Sequence, residues 1–157
     1  MKKIVLGGGC FWGMEAYFKR FKGVLKTEVG YANGHTTEPT YQQVCSNTSG
    51  HAEVLWIEYE PEEISLDTLL MHLWKVIDPT SLNRQGGDIG SQYRTGIYYF
   101  DESDLETINA SRAKEQEKHE KLIVTEVEPL KYYFAAEEYH QDYLTKNPNG
   151  YCHIKLD

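Results

Sequence analysis

Two stretches of helical periodicity each stand between stretches of strand character, and that alternation leaves few architectures open. Met14, Tyr17, Phe18 and Phe21 recur at i, i+3, i+4 and i+7 as one helix face, and Gly23 closes that helix. Leu66, Leu69, Leu70, Leu73, Trp74 and Ile77 form a second, strongly amphipathic helix, with Ser65 as its N-cap and Pro79 beyond its end. Residues 3–7 read as a short buried strand before the first helix. Residues 24–31 and 52–59 carry the β-branched and aromatic content of two strands between the helices, and residues 95–100 read as a fourth strand after a Gly-rich loop at 85–93. The order β-α-β-β-α-β is the ferredoxin-like split pattern, which predicts an α+β sandwich, one mixed sheet with helices packed on it.

Further elements extend this core: a charged helix over residues 103–121, a strand near 123–127 and a short helix over 135–144. Beyond them Asn147-Pro148-Asn149-Gly150-Tyr151-Cys152-His153 is turn chemistry throughout, so residues 145–157 are expected to form a mobile tail. The 157 residues suit a single domain that buries roughly two thirds of its unfolded surface. Sixteen Lys and Arg against 24 Asp and Glu give a formal charge of -8, with no basic run to grip phosphates. Nucleic acid and anionic membrane are therefore not expected as partners. The opening residues 1–7 hold only a three-residue apolar run, too short for a signal peptide or a membrane span, which makes the cytoplasm the expected location.

Three cysteines, at 10, 45 and 152, lack the C-x-x-C spacing of a zinc site or a thioredoxin-like motif. Gly7-Gly8-Gly9-Cys10-Phe11-Trp12-Gly13 sets a thiol between a strand's end and a helix's first turn. Free N–H groups and the helix dipole there are expected to favour a thiolate. As a phosphate loop the segment fails, because no Gly-Lys-Ser/Thr follows; as a small buried hydrophobe Cys10 would be unremarkable, although Phe11 and Trp12 beside it would make an apolar pocket wall. In Gly50-His51-Ala52-Glu53, strand alternation places Glu53 on the face of Leu55, Ile57 and Tyr59. A desolvated Glu53 would be a general acid; at the strand's exposed end it would merely be solvated. Tyr41 and Tyr93 sit in polar loops, Asp88 stands among glycines where turns are common, and Cys45 is structural by default. No His-Glu-x-x-His zinc motif accompanies His51.

Gly9-Cys10-Phe11-Trp12-Gly13, Gly50-His51-Ala52-Glu53, Asp88 through Arg94, and Gly150-Tyr151-Cys152 stand in the order seen in the A-type peptide methionine sulfoxide reductases, and the chain resembles that family over nearly its whole length. The resemblance implies a ferredoxin-like α/β sandwich and reduction of the S epimer of methionine sulfoxide, in peptides and proteins and free, as repair after oxidative stress. It implies that Cys10 is the nucleophile, Glu53 the proton donor, and Tyr41 and Tyr93 the holders of the sulfoxide oxygen. It further implies that Phe11 and Trp12 receive the substrate's methyl group, that Asp88 orients the substrate, and that Cys152 in the tail resolves the sulfenic acid. Recycling then falls to an external reductant, thioredoxin or dithiothreitol, with no metal or organic cofactor. Gly13 stands where some members have a second cysteine, and Gly87 where many have Asn. Only one cysteine follows Cys45, so recycling is expected to be a single exchange. Two rival readings use the same residues: a Cys/His hydrolase pairing Cys10 with His51 or His153, and a non-catalytic thiol redox sensor. The hydrolase would need no reductant, and the sensor would be oxidised without turnover.

Overall fold

In the computed structural model, which describes residues 1–34, 39–45 and 50–147, the strand β1 (Lys2–Gly8) lies inside the sheet with Ile4, Val5 and Leu6 wholly buried. A strand covered on both faces reads as a continuous apolar run, which is what Ile4-Val5-Leu6 is. After it come α1 (Phe11–Phe18), β2 (Val24–Ala32), α2 (Tyr41–Cys45) and β3 (Ala52–Tyr59). Then α3 (Leu66–Val76) leads through a small hairpin, β4 (Arg84–Gln85) and β5 (Asp88–Ile89), and a 3₁₀ turn (Ser91–Tyr93) into β6 (Thr95–Tyr99). A second 3₁₀ turn (Glu102–Asp104) opens α4 (Leu105–Gln116), and β7 (Glu126–Pro129), β8 (Tyr133–Ala135), a third 3₁₀ turn (Glu138–His140) and α5 (Tyr143–Lys146) complete the order.

The main sheet has six strands in the order β7-β6-β1-β3-β2-β8, antiparallel except for the β6–β7 pair. Its inner four, β6-β1-β3-β2, with α1 and α3 as the connecting helices, are the ferredoxin-like arrangement expected from the element order. Ile4, Leu6, Leu55, Ile57 and Tyr59 face the helices and pack on Phe11, Met14, Phe18, Leu69, Leu70 and Leu73. Alternate residues Val5, Ala52, Val54 and Tyr98 form a second, smaller cluster on the other face. Ser65 caps α3 by accepting the Thr68 N–H at 3.1 Å. Trp74 of α3 donates to Ser111 of α4 at 2.9 Å, which ties the two helices together.

The sheet curls strongly. Its edge strands β7 and β8 lie about 24 Å apart if five interstrand gaps are laid flat, yet only residues 130–132 join them, a reach of at most about 14 Å. Asn33 clasps the closure, with its N–H donating to the Tyr132 carbonyl, its Oδ1 accepting from Lys131 and Tyr132, and its Nδ2 donating to the Pro129 carbonyl. Gly30 gives Tyr133 room to cross the curled face, since a Cβ there would lie 2.5 Å from the Tyr133 ring.

Four elements differ from the sequence expectations. α1 ends at Phe18, one turn before Gly23. The helix expected over 103–121 is a 3₁₀ turn followed by α4, ending at Gln116, whose side chain takes the Ile123 N–H and donates to the Lys121 carbonyl. The strand expected at 123–127 forms at Glu126–Pro129, where parallel pairing to β6 begins. The helix expected over 135–144 is instead β8, a 3₁₀ turn and α5. Here the Gln141 amide takes the place of a strand neighbour, accepting from Val29 N–H and donating to the Val29 carbonyl, both at 2.9 Å. Asp142, at φ 51°, then breaks the helical path.

Candidate active site

β1 runs out at Gly8, and Gly9, at φ 85°, turns the chain so that Cys10 becomes the N-cap of α1. β3 runs antiparallel to β1 with Leu6 opposite Leu55, so Glu53, two residues nearer the start of β3, reaches the end where β1 gives way to Cys10. The Phe11 N–H, one residue past the thiol, donates to Glu53 Oε1 at 3.3 Å. Gln92 Nε2 donates to Oε2 at 2.9 Å. The carboxyl is 1% exposed, which excludes the solvated strand end. Burial pushes its pKa up to about 8, opposed by the two hydrogen bonds and assisted by the charge of Asp88.

Cys10 is 6% exposed. The N–H groups of Trp12 and Gly13 do favour its thiolate, as a helix start should. Burial and the charges of Glu53 and Asp88 outweigh them and push the thiol well above its ordinary value. The expectation of a lowered pKa is therefore corrected: donors at a helix N-terminus do not offset the loss of water around a buried thiol. The resting site holds a thiol beside a carboxylic acid.

Tyr41, the first residue of α2, and Tyr93, the last of its 3₁₀ turn, approach the carboxyl from two other elements. Burial and then the charge of Glu53 raise both phenols, so both stay protonated as hydrogen-bond donors; Asp88, Cys45 and Cys10 add to the effect on Tyr93. Phe11 is wholly buried against Tyr31, Tyr41 and His140, with ring centroids 5.8, 6.3 and 5.2 Å away. Trp12 stacks on Tyr143 at 3.9 Å and donates its indole N–H to His140 Nδ1 at 2.9 Å. Cys10, Glu53, Tyr41, Tyr93, Asp88, Phe11 and Trp12 thus converge; Cys152 and His153 lie outside the described residues. His51 is placed elsewhere: its Nδ1 accepts the Gly34 N–H at 2.9 Å and its ring meets Phe134 edge-on at 5.7 Å. Among the described residues no cluster of three or more His, Cys, Asp or Glu could hold a metal ion. No helix among them is long and apolar enough to cross a membrane.

Three participants escaped the sequence reading. Gln92 was hidden in a stretch read as a Gly-rich loop. His140 and Tyr143 lie in the stretch expected as a helix over 135–144, and nothing local to it signals that they wall in Trp12. Burial lowers the His140 pKa and keeps the ring neutral; with Nδ1 accepting from Trp12, the proton sits on Nε2. Glu137 supports the same wall, taking the Tyr31 hydroxyl at 2.8 Å and the Tyr41 N–H at 3.1 Å. Beyond Glu137 a cavity of about 500 Å³ is lined by Pro39, Thr40 and residues 133–135.

Comparison with known proteins gives one consistent result. The sequence model of the peptide methionine sulfoxide reductase family matches residues 2–157. Over 157 residues, 100% of this chain and 99% of the relative, the sequence is 61% identical to the peptide methionine sulfoxide reductase MsrA of Alkaliphilus metalliredigens. The fold is similar to Mxr1 from Saccharomyces cerevisiae in reduced form, with a TM-score of 0.92 and 39% identity over 99% of this chain and 91% of that one. Mxr1 in complex with Trx2 is similar at a TM-score of 0.65 and 27% identity, over 90% of this chain and 84% of that one.

Proposed function

Because the chain belongs to the peptide methionine sulfoxide reductase family of oxidoreductases, we propose that it reduces the S epimer of methionine sulfoxide, in proteins and peptides and as the free amino acid, with Cys10 as nucleophile and Glu53 as acid. The observation that carries this reading is the Phe11 N–H to Glu53 Oε1 bond, which brings a buried, protonated carboxyl to the residue next to the thiol.

A sulfoxide sulfur is a poor electrophile because its oxygen leaves badly as an anion. Glu53 protonates that oxygen while the Tyr41 and Tyr93 hydroxyls donate to it, and a well-placed acid is worth about 10²- to 10⁴-fold. The Cys10 sulfur attacks as its own proton passes to the emptied Glu53 carboxylate. The substrate's S–O bond breaks and an S–O bond forms on Cys10, so substrate sulfur is reduced by two electrons and Cys10 is oxidised to a sulfenic acid. No net proton enters or leaves. Phe11 and Trp12 take the substrate's methyl group, and Asp88 orients the substrate.

The Cys152 thiol then condenses with the sulfenic acid, forming a disulfide and releasing water. Thioredoxin, at about -270 mV, has the potential to reduce it, and the complex of Mxr1 with Trx2 supports that partner. Residues 1–157 act as one domain in this scheme, with the tail from residue 145 bringing Cys152 to Cys10 in the cytoplasm, and no cofactor is required. The test is methionine formation from each epimer of a methionine sulfoxide peptide with dithiothreitol present. Only the S epimer should react; equal rates on both would overturn the stereochemical assignment.

A further inference from the structure

We propose that Gln92 is a positioning residue for the acid, holding the Glu53 carboxyl with one amide hydrogen while Cys45 holds the other. The inference rests on the reading of Glu53 as proton donor. Gln92 is 2% exposed, and its Nε2 lies 2.9 Å from Glu53 Oε2 and 3.3 Å from Cys45 Sγ, so both amide hydrogens are taken. Burying an amide is costly unless it is satisfied, and an apolar side chain would fill the space without that cost. The amide is there for what it holds.

Its neutrality matters as much as its reach. A lysine or arginine at this place would pull Glu53 into its ionised form and end its use as an acid. An uncharged donor fixes the carboxyl's orientation and leaves burial to keep the proton on. Oε2 accepts the shorter of the two bonds, which makes the more loosely bonded Oε1, beside the backbone next to Cys10, the better placed oxygen to carry the proton. Gln92 also precedes Tyr93 in one 3₁₀ turn, while Cys45 ends the helix that Tyr41 begins. The Cys45–Gln92–Glu53 chain therefore locks the two elements that carry the oxygen-holding tyrosines to the strand that carries the acid. Cys45, structural by default in the sequence, becomes the anchor of this relay.

The titratable groups facing Glu53 are Cys10 at the start of α1, Tyr31 on β2, Tyr41 and Cys45 on α2, Asp88 on β5 and Tyr93 on its turn. None of them changes when Gln92 is replaced by Met, which matches its length and lacks its donors. The experiment is single-turnover methionine formation against pH and substrate concentration for wild type, Gln92→Met, Cys45→Val and Glu53→Gln. Losing a donor to the carboxylate should move the alkaline limb of Gln92→Met up by about one pH unit and slow its maximal rate about tenfold, with the half-saturating substrate concentration unchanged. Cys45→Val, which stays apolar at this exposed position and loses the sulfur acceptor, should shift the limb the same way by less. A wild-type pH profile in folded Gln92→Met overturns the inference; should that variant not fold, a wild-type profile in Cys45→Val does so. If Glu53→Gln itself retains the wild-type rate, the acid has been misassigned and both readings fall together, whereas a slow Glu53→Gln beside an unshifted Gln92→Met sinks this inference alone.

Discussion

Cys10 and Glu53, the proposed nucleophile and acid, lie close enough to feel one another's charge, and the direction of each pKa follows from what surrounds it. A thiol at a helix start is ordinarily acidified, yet burial beside Glu53 and Asp88 reverses the sign, so both groups rest protonated and would enter the proposed reaction in that form. The rate should therefore be level at neutral pH and fall as pH rises through about 8, where Glu53 loses its proton. Glu53→Gln should lower the single-turnover rate by about two orders of magnitude or more while substrate still binds, and should erase that limb. A rate within a factor of about three of wild type would remove Glu53 from the chemistry. Cys10→Ser should abolish methionine formation even in excess dithiothreitol. Stability gives an independent reading of the same carboxyl. Its folded pKa lies above the unfolded value, so its contribution is fully present below the usual carboxylate range and is lost as pH rises towards about 8. Glu53→Gln should then unfold at a higher urea concentration than wild type at pH 9, with the gap closing at pH 5.

At the level of elements, legibility tracked whether the forces were local. α3 was plain in the sequence because its cap, its apolar stripe and its stop at Pro79 lie within one stretch, and Ser65 does accept the Thr68 N–H. β3 was equally plain, since alternation alone puts Glu53 on the face of Leu55 and Ile57. The segment from Tyr133 to Lys146 was not, because a Gln141 side chain bonded to Val29 and a left-handed Asp142 decide its path, and both depend on partners more than a hundred residues away. Gln92 stayed hidden for the same reason, its partners being Glu53 and Cys45. Glu15 of α1 holds the C-terminal segment in place, taking the Asp142 N–H at 2.6 Å and the Thr27 hydroxyl at 2.8 Å. Through it α1 keeps His140 and Tyr143 against Trp12, the wall proposed to receive the methyl group. Glu15→Ala should raise KM for the sulfoxide roughly tenfold and leave kcat nearly unchanged, because the loss falls on binding and not on the acid. It should also lower unfolding free energy by about 1 kcal/mol, through two part-buried donors left to water. A fall in kcat at constant KM would place Glu15's effect in the chemistry instead.

For the molecule as a whole, the curled sheet and the docked C-terminal segment decide whether a thiol at position 152 can meet one at position 10. Tyr143 stacks on Trp12, and Asn147 closes α5 with its N–H on the Tyr143 carbonyl at 2.7 Å, so the last described residues stand beside the proposed site. Cys152 follows Asn147 by five residues, a reach of at most about 18 Å. Asn147-Pro148-Asn149-Gly150 is turn-forming sequence suited to redirecting the chain within that reach. If Cys152 only resolves the sulfenic acid, Cys152→Ser should leave the first reduction intact and yield about one methionine per enzyme with no reductant present. Turnover should then fail with thioredoxin, which needs a protein disulfide as its substrate. It should persist with dithiothreitol, which is small enough to reach the Cys10 sulfenic acid directly. Quantifying methionine in three parallel reactions, without reductant, with the thioredoxin system and with dithiothreitol, separates the alternatives. A Cys152 that served only the fold would leave thioredoxin turnover untouched, and a Cys152 that attacked the sulfoxide would cost even the first equivalent.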